Sequence, residues 1–212
     1  MTRLRITKIA VFMGALIPLA RLVWGALHNE LGANPIEAIT HSTGDWTLIL
    51  ILATLTITPL RKLTKQYWLI GVRRMIGLFA FFYACLHFTT YVWLDKFFDW
   101  HEMIKDVYKR PFITMGFTAF VLLIPLAVTS TKGWIRRLGK NWQRLHWLIY
   151  VAGIAGVIHY IWLVKADLRK PLQYAFVLGV LLLYRVGNWL YEARRQSPAQ
   201  AVGRPSVEAT KA

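Results

Sequence analysis

Three stretches without a single charge constrain this chain more than any other feature. Met75 to Leu94, Pro111 to Thr131 and Leu145 to Val164 contain no Asp, Glu, Lys or Arg over 20, 21 and 20 residues. At about 1.5 Å per residue, each crosses a hydrocarbon core of roughly 30 Å as a helix. Lipid offers the backbone no hydrogen bonds, and a helix satisfies its own. Three further segments read as spans: Ile9 to Leu27, interrupted only by Arg21; Trp46 to Leu60, which is shorter; and Pro171 to Tyr184, which extends through Arg185 to Trp189 and Tyr191. The expected fold is an all-α, polytopic membrane helix bundle with six transmembrane helices. The transmembrane domain is expected over 1–195, followed by a disordered tail rich in Ala, Ser, Pro and Gly over 196–212.

Charge then sets the orientation. The chain carries 26 Lys+Arg against 10 Asp+Glu, a formal net charge of +16. Soluble nucleic-acid-binding domains are this basic without such apolar stretches, so no nucleic-acid partner is expected. With both termini in the cytoplasm, eighteen basic residues fall inside and seven outside, and eight of the ten acids fall outside. The positive-inside rule favours that arrangement. The apolar run after Lys8 imitates a secretory signal, but five spans follow it and Arg21 interrupts the approach to a cleavage site, so it reads as an uncleaved first helix. Cys85, the single cysteine, lies within the third span, which excludes an intrachain disulfide, a thiolate cluster and CxxCH haem attachment. No GxGxxG, Walker loop, ferredoxin cysteine pattern or internal repeat is evident. Outer loops are expected from about His28 to Asp45, from Asp95 to Arg110 and from Lys165 to Lys170. The second of these suits a helical turn on the membrane surface. Inner loops are expected at Arg61 to Arg74 and Lys132 to Arg144.

Three histidines lie within the spans. His87 comes thirteen residues after Arg74 at the cytoplasmic end of the third span, and His159 thirteen residues after His146 near that end of the fifth. Both spans run outward, so His87 and His159 sit at similar heights, roughly 20 Å above His146. An imidazole in lipid is costly without a partner or a task, and imidazole is an axial ligand of non-covalent haem. His87 and His159 therefore read as paired axial ligands from facing helices. His146 has no histidine at matching depth on the third span, where Arg73 and Arg74 stand. Thirteen residues rotate an ideal helix by about 220° beyond whole turns, so His146 and His159 share a face only if the helix bends, and Gly153 and Gly156 between them could supply the bend. A second, inner haem on His146 needs another ligand or an open position. His28, His41 and His101 are expected to be solvated in outer loops, Arg21 to snorkel, and Met103 and Met115 to pack. The alternative readings of the buried histidines are helix-packing hydrogen bonds and proton or metal transport. No catalytic residue is expected.

The stretches ITPLR (57–61), RRMIGLFAFFYACLHFTTY (73–91), KRPFITMG (109–116), LAVTST (126–131) and LGKNWQRLHWLIYVAGIAGVIHYIW (138–162) resemble the MsrQ (YedZ) family. These are haem-binding membrane subunits of bacterial periplasmic methionine sulfoxide reductase systems, within the wider ferric-reductase-like transmembrane group. The likeness covers about Leu22 to Trp162. It implies haem b on His87, His159 and His146, a multi-pass location in the bacterial inner membrane, and electron transfer from the quinone pool or a cytosolic flavin reductase. The implied acceptor is a periplasmic molybdopterin methionine sulfoxide reductase that repairs oxidised envelope proteins. The resemblance also implies FMN; its phosphate, or haem propionates, would be met by Arg73, Arg74 and Arg144 beside Lys140 and Trp142. The chain departs from the oxidases of the group in having one histidine on the third span and no cytosolic flavin domain. A stand-alone metalloreductase or a six-span proton or metal transporter using the same histidines are the alternatives.

Overall fold

The computed structural model describes residues 3–164 and 166–201, with side chains over 4–164 and 166–195. Its helices are α1 (Arg3–Leu27), α2 (Pro35–Thr64), α3 (Ile70–Thr89), α4 (Trp100–Lys109), α5 (Pro111–Val128), α6 (Lys132–Leu138), α7 (Lys140–Leu145), α8 (Leu148–Leu163) and α9 (Arg169–Ala201). A 3-10 turn at Tyr67–Leu69 leads into α3, and a π turn at Thr90–Asp95 ends it. No strand occurs among the described residues. Among the described residues, six segments are long and apolar enough to cross a membrane: Leu4–Leu27, Pro35–Thr64, Tyr67–Asp95, Pro111–Val128, Lys140–Leu163 and Arg169–Arg195. The all-α, six-span bundle expected from the sequence is the observed one.

Its boundaries differ in instructive places. The second span starts at Pro35, eleven residues before Trp46, so His41 and Asp45 stand on a helix and not in a loop. Asn34 caps it by accepting the Glu37 N–H at 3.3 Å, and Pro35 takes the first helical position, where no N–H is needed. The stretch looks polar because it is rich in Thr and Gly. Those hydroxyls are spent one turn back, Thr43 on Ile39 O at 2.8 Å and Thr47 on Thr43 O at 2.9 Å. The basic segment expected as a loop from Lys132 is two short helices meeting at Gly139, whose φ of 50° suits glycine. The fifth span breaks at His146 and Trp147, between α7 and α8, while Gly153 and Gly156 lie inside unbroken α8. Gly156 serves close packing, since a Cβ there would meet Leu48 Cδ2 at 3.0 Å, whereas one at Gly153 would make an ordinary contact with Ile51 Cγ2 at 3.6 Å. Helix α9 continues to Ala201, past the expected boundary at Gln196; the remainder of the expected tail, 202–212, lies outside the described residues.

Helices α2, α3, α5 and α8 close a ring in which each packs on the next, with α1 outside against α3 and α2 and α9 outside against α2 and α8. The core lies between them, centred on Ile51, Leu55, Ala80, Tyr83, Leu123 and Ala152. Tyr83 fixes α1 to the ring. Its hydroxyl donates to Ala15 O at 2.7 Å and accepts the Leu19 N–H at 3.1 Å. Those two backbone groups would otherwise pair with each other, so the phenol is inserted into the α1 ladder beside Pro18, where the ladder is already weakened.

The ring is internally paired. Hairpins α2–α3 and α5–α8 are the most extensively packed, and an offset of 72 residues carries Gly44 to Gly116, Ile51 to Leu123, Ala80 to Ala152 and His87 to His159. This corrects the expectation of no repeat. These matching positions lie in the core or line the cavity within the ring, and the differing side chains around them dilute the likeness in the linear sequence.

Candidate cofactor site

His87 on α3 and His159 on α8 face each other with ring centres 6.2 Å apart and planes at 75°. Each is oriented by a backbone carbonyl of its partner helix. His87 Nδ1–H donates to Thr40 O at 3.0 Å, and His159 Nδ1–H donates to Phe112 O at 2.6 Å. A carbonyl only accepts, so both rings carry the proton on Nδ1 and keep the Nε2 lone pair for a metal. This is the orientation that outer-sphere partners impose on ligating imidazoles. Glycine makes room for each ring one turn beyond the carbonyl. A Cβ at Gly44 would lie 3.1 Å from His87 Cε1, and one at Gly116 only 2.8 Å from His159 Nδ1. In both hairpins the carbonyl precedes the histidine by 47 residues and the glycine by 43.

These residues fit a haem. Two metal–nitrogen bonds of about 2 Å, with roughly 1 Å from each nitrogen to its ring centre, separate bis-imidazole rings by roughly 6 Å. The rings border a cavity of about 600 Å³, within the usual range for a bound cofactor. Of its 30 lining residues, 22 form pairs 72 apart, so the cavity sits on the relation between the hairpins. The pairing fails informatively. Phe88, Phe117 and Phe120 make one wall aromatic, with Phe88 and Phe120 stacked at 4.7 Å. The lining also includes Asp45, 3.5 Å from Lys170 Nζ, and Tyr160 of α8. The mouth is polar, bordered by Asn34, Glu37, His41 and Arg110. His41 thus belongs to the rim, 3.6 Å from Glu37. His28 stacks on Trp24 at 3.9 Å and His101 is exposed on α4, both away from the cavity.

His146 caps α7 at the basic end of the ring, apart from this cavity, with its ring 3.9 Å from Trp142. Its Nδ1 is buried and has no hydrogen-bond partner among the described residues, unlike those of His87 and His159. Arg73 is half-buried within electrostatic range of it, whereas Arg74 and Arg144 are exposed. Arg185 and Arg61 join Arg73 there.

The ferric reductase like transmembrane component family matches residues 43–157, from α2 into α8. A protein-methionine-sulfoxide reductase heme-binding subunit MsrQ from Herminiimonas arsenicoxydans is 55% identical over 94% of this chain and 92% of its own length. The protein of that name from Xanthomonas campestris pv. campestris (strain 8004) is 50% identical over 94% of each chain. The one from Ralstonia nicotianae is 50% identical over 91% of this chain and 90% of its own. The chain belongs to the MsrQ family. No solved structure matches it.

For this MsrQ-family chain the sequence singled out His87, His146 and His159, and the structure brings the first and last of them together. It missed the Thr40 and Phe112 carbonyls, which have no side-chain signature, and the Gly44 and Gly116 cradles. A signal for the latter was present: glycine and histidine recur at one spacing in both hairpins. Arg185 was read as a residue through which the sixth span extends, and nothing local to it marks a further role.

Proposed function

We propose that this chain is the haem b-bearing electron-transfer subunit of a methionine sulfoxide reductase system and carries no substrate chemistry of its own. The observation that carries this reading is the facing pair His87 and His159, each with Nδ1–H on a carbonyl and both lining one cavity. A bound haem supplies a one-electron iron couple. His87 and His159 hold the iron from both sides, their carbonyl partners raise the basicity of the rings, and the aromatic wall keeps water from the ring interior. Arg110 at the mouth is placed to meet an acidic edge. A bare metal ion in transit would suit a cluster of three or more His, Cys, Asp or Glu, and none is found among the described residues.

Charge distribution supports an orientation with both termini in the cytoplasm of a bacterial inner membrane, and it opens the cavity mouth to the periplasm. The acceptor is then a periplasmic molybdopterin methionine sulfoxide reductase, and the donor is the quinone pool or a cytosolic flavin reductase. His146 lies roughly 20 Å from the level of His87 and His159 by helix rise, which calls for a second carrier at the basic end. A second haem on His146, or FMN, with Arg73 and the more exposed Arg74 and Arg144 nearby, fills that role.

The test is the purified protein's spectrum. A Soret band with dithionite-reducible α and β bands is expected, and His87→Ala and His159→Ala each lose the same low-spin haem. A colourless folded preparation, or wild-type haem content in either variant, sinks the reading. Faster oxidation of the reduced protein by ferric chelates than by the molybdenum partner would favour a metalloreductase.

A further inference from the structure

Two side-chain atoms are buried without a hydrogen-bond partner among the described residues, His146 Nδ1 and Arg185 Nε, and both belong to the basic end of the ring. Arg185 is held there by backbone chemistry. Its Nη2 donates to Leu55 O at 3.0 Å. That carbonyl would normally bond to the residue four positions on, which is Pro59 and has no N–H. The guanidinium also lies 4.8 Å from the centre of the Tyr150 ring. It is therefore fixed in place while Nε remains uncommitted.

Arg73 is within electrostatic range of Arg185, of Arg61 and of His146. Guanidinium groups gathered at low dielectric repel unless an anion lies among them. The described protein supplies none. Eight of the ten acids are at the other end, Glu208 is outside the described residues, and Glu192 is engaged by Lys62 at 3.1 Å and Asn188 at 2.9 Å.

We infer that Arg61, Arg73 and Arg185, with the His146 Nδ1–H, form a binding site for an oxyanion, the phosphate or carboxylate of a ligand held at the basic end of the ring. Arginine matches such groups through paired N–H donors, and its charge persists when half-buried. The inference rests on the reading that a second carrier sits at this end, and the carrier's acidic arm is the group the site fits. A flavin phosphate, a haem propionate and a phospholipid headgroup share that chemistry.

The full-length protein in detergent is titrated with FMN and with riboflavin, which lacks the phosphate, for wild type, Arg73→Gln and Arg185→Gln. Wild type is expected to prefer FMN about tenfold or more. Both variants should lose the preference while keeping the spectrum of the His87 and His159 haem. Arg185→Gln also unpairs the Leu55 carbonyl, so Arg185→Gln combined with Pro59→Ala, which restores an N–H to it, controls for folding. Without a flavin preference, loss of one haem per chain in the variants assigns the site to a propionate, and loss of a copurifying anionic phospholipid assigns it to a headgroup. Flavin binding, haem ratio and lipid content all unchanged in the variants would overturn the site. Repeating the titration in His87→Ala separates the two proposals, because the FMN preference should survive there whatever becomes of the outer haem.

Discussion

Gly44 and Gly116 stand 72 residues apart and do the same thing: each leaves its helix bare where an imidazole from the neighbouring helix lies against it. The fit is unequal. An added Cβ would come within 2.8 Å of His159 Nδ1 at Gly116 but 3.1 Å of His87 Cε1 at Gly44. Gly116→Ala must therefore displace a ring that is also tied to Phe112 O, an overpacking cost of roughly 1–3 kcal/mol. It should lose most of the bound haem. Gly44→Ala needs only a small yield by His87 and should keep more. Haem per chain by pyridine haemochrome ranks the two, and the reverse order would mean that the glycines do not set the ligand positions.

His146 belongs to the other end of the ring. His146→Ala should leave the low-spin spectrum of the outer haem intact and slow its reduction by the physiological donor, with reduction by dithionite unchanged. Stopped-flow spectra of membranes supplied with donor or with dithionite separate the two rates. Loss of all haem in this variant would place the ligands wrongly.

Much of this was legible in the chain. Three spans announce themselves by the absence of charge, and the level pair His87 and His159 follows from counting residues from the basic end. The start of α2 was not legible, because Thr40, Thr43 and Gly44 look like loop residues until α3 is packed on them. The bend of the fifth span was sought at glycines and found at His146, since Gly153 and Gly156 lie inside unbroken α8 and Gly156 answers to the approach of Leu48. The environment of Arg185 was hidden for a different reason. Its partner is a main-chain oxygen 130 residues away, freed by the missing N–H of Pro59, and a backbone atom leaves no mark on residue type.

Tyr83 offers a test of α1 docking. In Tyr83→Phe the Ala15 carbonyl and the Leu19 N–H are still one helical turn apart and can pair directly. The loss should therefore stay near about 1 kcal/mol, below the usual penalty for two stranded backbone groups. Thermal unfolding in detergent measures it. A loss of several kcal/mol would show that α1 cannot close its own ladder at Pro18.

Helix α4 is pinned at the cavity mouth by Asp106. The carboxylate meets Lys96 Nζ at 2.6 Å and Arg110 Nε at 3.0 Å, and accepts the Tyr91 hydroxyl at 3.4 Å. Burial by itself would push this carboxyl up, but the Lys96 hydrogen bond and the charges of Lys96 and Arg110 outweigh it and hold the group below its ordinary value. An unfolded aspartate titrates near about 3.9. Because the folded value is lower, the stabilisation is present in full above that pH and is lost as the pH falls through the folded value. Amide exchange in α4 should therefore be insensitive to this carboxyl from neutral pH down to about 5, after correction for intrinsic rates, and protection should fall only below about 4. Asp106→Asn removes the charge at every pH and leaves Lys96, whose side chain is 16% exposed, with Asp95 at 3.8 Å as its remaining carboxylate partner among the described residues. A cost of roughly 3 kcal/mol is expected for stripping the partner from a buried pair. Its α4 should exchange at neutral pH as the wild-type helix does in acid, and Arg110 should lose its hold on the mouth. A variant whose α4 stays as protected as wild type at neutral pH would show that the apolar contacts of Met103, and not the ion pairs, keep the helix in place.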